Sequence, residues 1–167
     1  MTKAFNWKAA IWAGIVAGIV FMMLEMALIM TLKGQSPWGP PRMMGAMVMG
    51  RGVLPPMGQP ATFDFGIMMV AMMIHLMLSI VLAIILGFGI SRLGLGLIAS
   101  IVVGAIFGMI VYYVDFYIFT AWFPWFAMSR GVITLFSHGM FGAVAGGVYR
   151  AMAGSAVPTA PVAAGSV

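Results

Sequence analysis

Two stretches of this chain obey one spacing rule. Gly14-x3-Gly18-x6-Glu25 lies in the first long apolar run, and Gly104-x3-Gly108-x6-Asp115 lies in the third. Each is followed, one apolar run later, by a single histidine: His75, then His138. Four ionisable groups therefore sit in four apolar runs, in the order acid, imidazole, acid, imidazole. Ionisable groups inside a membrane are costly and mark functional sites by default. Carboxylates and imidazoles together offer two chemistries. They can pass or hold protons and cations, because imidazole titrates near neutral pH. They can also ligate a metal such as iron, zinc or manganese through nitrogen and oxygen.

The elements that must carry these groups follow from composition. The chain is 63% hydrophobic and only 7% charged, with a mean hydropathy of +1.13. Soluble domains are roughly 45–50% apolar and about 25% charged. A polytopic membrane protein is expected. The formal net charge of +5 is spread singly over segment ends, which is a topology signal and not a nucleic-acid footprint. No cysteine is present, so disulfides, thiolate catalysis and Cys-ligated metals are excluded.

Four runs reach the ~20 residues that a spanning helix needs: 9–32, 65–90, 93–120 and 131–149. The first is too long and too acidic for a secretory signal, so it is read as a retained helix. Only Ser91-Arg92 separates the second from the third, which predicts a tight helical hairpin. The loop 33–64 carries Pro37, Pro40, Pro41, Pro55 and Pro56 around an apolar stretch too short to span. Pro41 is suited to open a helix, so a short interfacial or re-entrant helix is expected over 41–51. Residues 154–167 read as a disordered tail.

Seven residues make nearly two helical turns, so Gly18 and Glu25 share a face, as do Gly108 and Asp115. Glycines four apart let helices approach closely. Gly14 and Gly18, Gly104 and Gly108, and Gly142 and Gly146 are thus the expected packing surfaces. His138 shares a face with Gly142 and Gly146, and His75 with Ser79, Ala83 and Gly87. Counted from the long-loop side, the four ionisable groups lie at depths of roughly 8–15 Å. One polar cluster of Glu25, His75, Asp115 and His138 in one half of the bundle is expected. The shared spacing also raises a duplication of two helical hairpins in parallel orientation.

The fold class expected is all-α, a transmembrane four-helix bundle. Lys3, Lys8, Arg92 and Arg150 mark one side; Lys33, Arg42, Arg51 and Arg130 mark the other. The positive-inside tally is even. The first set lies in short flanks and a tight turn, which favours cytoplasmic termini. Arg42, Arg51, Trp122 and Trp125 are assigned to the lipid headgroup interface.

Several ligands remain open. His75 and His138 at similar depth permit a non-covalent bis-histidine haem. Nineteen methionines raise copper(I), with Met22, Met26 and Met30 four apart, as are Met69, Met73 and Met77. Methionine at helical spacing is more often apolar filler. Nucleotide, dinucleotide and serine-hydrolase motifs are absent. The stretches SPWGPPRMMGAMVMGRGVLPP (36–56) and FTAWFPWFAMSRGVITLFSHGMFGAVAGGVYR (119–150) resemble small four-helix inner-membrane proteins of bacteria. Some of those carry a sodium:proline symporter label. The resemblance implies a bacterial inner-membrane location but no site residues. Real sodium symporters have a second inverted bundle and broken helices, which this chain lacks. The expected function is non-enzymatic: binding or conducting a proton, cation or metal through the cluster, as a homo-oligomer or within a larger complex. The competing reading is an accessory subunit whose polar groups serve assembly.

Overall fold

The computed structural model describes residues 4–154. All regular structure among them is helical. The long helices are α1 (Trp7–Lys33), α3 (Phe65–Leu93), α4 (Leu97–Tyr113) and α5 (Val132–Gly154); the short α2 (Gly39–Met49) lies in the first loop. Four helical stretches are long and apolar enough to cross a membrane, the third being Leu97–Ala121. The chain thus has the make-up of a multi-pass membrane protein. The expected tail falls outside the described residues, except Gly154, which ends α5.

Capping explains the edges. The Asn6 side chain accepts from the Ala9 amide at 3.0 Å and opens α1, and Asp64 does the same for α3 through Ile67 at 2.9 Å. Gly34 and Gly94 end those helices at φ +60° and +63°, a region glycine enters without strain. The third span differs most from expectation. Gly94-Leu95-Gly96 forms the turn, so α4 starts at Leu97. The α-helix then gives way to a π turn at Val114–Ile118 and a short 3₁₀ segment at Phe119–Ala121.

The expected tight hairpin of the second and third spans is not what forms. α1 packs between α3 and α5, and α5 packs between α1 and α4, while α3 and α4 barely touch. The glycines give the reason. A Cβ on Gly108 would sit 1.9 Å from the His138 carbonyl oxygen, and one on Gly104 would sit 2.1 Å from that of Gly142. Backbone meets backbone along this seam, so α4 is drawn onto α5 and away from its sequence neighbour. A similar approach sets α1 on α3. A Cβ on Gly14 would lie 2.5 Å from the Ile80 Cα, and one on Gly18 would lie 2.8 Å from the Ser79 Oγ. A parallel two-fold repeat would require equal contact for α1 with α5 and for α3 with α4. The packing lacks that equality.

At the end of the bundle that holds the α3–α4 turn, the core is built mainly of small apolar residues: Ala9, Ala10, Ala13, Ala17, Ala83, Leu86, Ile90, Phe141 and Ala145, with Tyr149. The Tyr149 hydroxyl accepts from the Asn6 amide at 3.3 Å and bonds Ser91. Arg150 donates to the Leu95 carbonyl at 2.7 Å, tying α5 to the turn. At the other end α2 lies along α3, with Gly45 against Ile67.

Candidate intramembrane polar site

Because α3 and α4 diverge, a cavity of about 430 Å³ opens between them, floored by α1 and α5 and capped by α2. Glu25, His75, Asp115 and His138 all line it. Apart from Ser79, Ser129 and Thr134 the remaining walls are apolar and strongly aromatic. Pockets of a few hundred Å³ with this mix are typical ligand sites.

Glu25 is 2% exposed. Its Oε1 accepts from the Thr134 Oγ1 of α5 at 2.7 Å, and its Oε2 has no partner. Thr134 stands one turn before His138 on the same face of α5. That spacing is legible in the sequence, but threonine in an apolar run draws no attention without its partner. Ser137, on α5 and fully buried, also has an unpaired Oγ.

His138 Nδ1 lies 2.7 Å from the Thr134 carbonyl. A carbonyl only accepts, so this contact puts the proton on Nδ1 and leaves Nε2 facing Asp115 Oδ2 at 3.6 Å. His75 is arranged alike. Its Nε2 lies 2.9 Å from the Gly18 carbonyl and acts as the donor there. A Cβ on Gly18 would meet Ser79 and Leu76 of the same helix α3, at 2.8 and 3.2 Å. Phe21 packs on both imidazoles, stacked on His75 at 5.3 Å and edge-on to His138 at 4.7 Å between centroids.

The two acids are not equivalent. The Asp115 side chain is 44% exposed. The π turn carries Asp115, and such turns recur at functional sites. Arg130 braces it, donating through Nε to the Phe116 carbonyl at 2.6 Å and through Nη2 to Thr120 Oγ1 at 3.1 Å. Its guanidinium also lies over the Tyr117 ring at 4.4 Å.

The four-residue metal set does not assemble. Among the described residues no three His, Cys, Asp or Glu side chains converge closely enough to hold a metal ion. One nitrogen of each imidazole is bonded to a backbone carbonyl, which leaves the other free, and Phe21 packs against both rings. The methionines divide. Met22, Met43, Met44 and Met47 line the cavity, whereas Met69, Met73 and Met77 point outward. Outward methionines on a spanning helix are apolar surface.

Arg42, Arg51 and Trp125, among the residues assigned to the interface, also make internal contacts. Arg42 donates to the carbonyls of Thr62 and Val53 at 2.8 and 2.7 Å and to Thr62 Oγ1 at 3.1 Å, so its guanidinium is spent on the loop. Trp125 donates to the Met43 carbonyl at 3.0 Å and carries Arg51 over its ring at 5.5 Å. Both residues fasten α2 to the rest of the chain. Trp122 is exposed.

No family model, curated protein or solved structure matches this chain.

Proposed function

We propose that this is a non-enzymatic integral membrane protein that binds, and does not conduct, a proton or small cation at Glu25. The supporting observation is the unpaired Oε2 of a carboxyl that is 2% exposed in an apolar cavity. An isolated carboxylate charge in such surroundings is expensive. A bound proton or cation cancels it, and His138 with Asp115 supplies a second acceptor pair at the half-exposed edge. Binding without conduction follows from two features. Each histidine proton ends at a backbone carbonyl, which cannot pass it on. Beyond the cluster lies the alanine-rich core, where the buried polar side chains are Tyr149 and the serines Ser79, Ser91 and Ser100 and none is a carboxyl or an imidazole. The setting we favour is a bacterial inner membrane with cytoplasmic termini, so that the site opens toward the far leaflet.

Infrared difference spectroscopy across a pH step tests this. A protonated-carboxyl band should disappear in Glu25→Gln and survive in Asp64→Asn. Its persistence in Glu25→Gln would overturn the assignment. Proteoliposomes should show no proton flux above protein-free vesicles, and flux would overturn binding without conduction.

An accessory or oligomeric role is favoured by a separate observation. Ala105, Gly139 and Ala143 form a shallow outward groove on α4 and α5, flanked by Met109, Phe136 and Met140. Small residues so arranged suit a helix of another chain. Co-purification of a larger membrane partner at fixed stoichiometry, lost in Gly139→Leu, would support that role.

A further inference from the structure

The cavity has a side door. Val81 and Ile85 of α3 and Ile110 of α4 line it, and each is about half exposed at 48%, 54% and 56%. These residues stand where α3 and α4 fail to meet, midway along apolar spans. An entrant arriving there comes from the lipid phase. Phe21, Phe107, Phe116 and Phe141 line the same cavity as Glu25, whose buried Oε2 is unpaired.

We infer that this cleft binds a lipid-soluble amphiphile with a hydroxyl-bearing aromatic head, the chemistry shared by quinols and phenolic lipids. Three features select that class. The apolar door admits a hydrocarbon tail and rejects a free polar solute. Aromatic walls favour a flat ring, through offset and edge-on contacts. A hydroxyl can donate to a Glu25 carboxylate and accept from a Glu25 carboxylic acid, so it satisfies Oε2 in either protonation state. A spanning helix of another protein would fill the apolar part but offers Oε2 no backbone donor, since its amides are bonded internally. The inference rests on the reading of Glu25 as the binding group and extends it from proton to ligand.

The probe is a ring-fluorinated 4-decylphenol, followed by fluorine NMR with the protein in lipid nanodiscs and empty nanodiscs as baseline. A distinct bound signal is expected. The matching fluorinated decylbenzene, which lacks the hydroxyl, should bind at least about tenfold more weakly, as should decylphenol to Glu25→Gln. A reduced decyl-benzoquinone and a long-chain alkylphenol run as separate arms tell a quinol from a phenolic lipid by which binds more tightly. Val81→Trp and Ile110→Trp should close the door and abolish the bound signal while keeping the Glu25 infrared band. Those variants separate the two readings: ligand loss with the band intact supports the cleft and leaves proton binding untouched. Equal binding of decylbenzene, no bound signal in the wild type, or a cross-link showing a second copy's helix in the cleft would overturn the inference, even with the Glu25 band present.

Discussion

Thr134 Oγ1 donates a 2.7 Å hydrogen bond to Glu25 Oε1 across the seam between α1 and α5. The same residue's carbonyl receives His138 Nδ1. Thr134 therefore joins the buried acid to the histidine that faces Asp115. Thr134→Val keeps the shape and removes the donor, leaving both carboxyl oxygens of Glu25 unmet. The expected cost is about 1–3 kcal/mol of stability, read from the thermal midpoint in mild detergent, with Thr134→Ser close to wild type. A Thr134→Val midpoint equal to wild type would show that the bond carries no net energy.

The α4–α5 seam should tolerate no side chain. Gly108→Ala places its methyl on the His138 carbonyl, 1.9 Å away before any shift, and backbone cannot yield cheaply. We expect a loss of a few kcal/mol, about the cost of overpacking a core, together with displacement of His138. Gly89→Ala on α3 meets nothing within 4 Å. It should hold or slightly raise the midpoint, since alanine is the better helix former by about 1 kcal/mol. Equal behaviour of the two variants would contradict the packing described.

Arg130 holds the π turn by its bond to the Phe116 carbonyl. In Arg130→Met that carbonyl loses its donor and the turn at Val114–Ile118 loosens. Amide exchange there should quicken, while Leu97–Tyr113 stays protected. Uniform protection in the variant would mean the turn stands without Arg130.

The loop after α2 is held by the Arg42 guanidinium, with Ser36 donating to the Ala61 carbonyl and Trp38 against Phe63. Arg42→Ala removes three hydrogen bonds to Val53 and Thr62. Limited proteolysis within 51–63 should accelerate several-fold, whereas Arg51→Ala, which gives up a ring contact with Trp125, should change it little.

The sequence shows the four spans because hydropathy and length suffice for them, and it shows α2, two residues late, because Pro41 announces a helix start. The depth of the ionisable groups is legible too, since a fixed rise per residue converts position into height. Neighbour order is not. α3 and α4 each carry a face of small residues, but such a face does not say which helix it meets. Adjacency in sequence then favours a hairpin, whereas glycine-to-carbonyl contact sends α4 to α5. The spacing Gly108-x6-Asp115 assumes an unbroken helix, and the π turn after Tyr113 breaks that assumption and leaves Asp115 half exposed. Phe21, one turn before Glu25, reads as filler until its ring is seen against both imidazoles.

The height of Glu25 has an electrical consequence. It lies eight residues from the end of α1 at Lys33, roughly 12 Å down a core about 30 Å thick. On the proposed placement the cleft opens sideways where α3 and α4 diverge, so the transmembrane field would fall across this distance. A unit charge that reaches Glu25 from the long-loop side crosses about 0.4 of the potential, worth about 0.9 kcal/mol per 100 mV. Occupancy of the site would then follow the membrane voltage, changing about fivefold per 100 mV, with the bundle itself standing still.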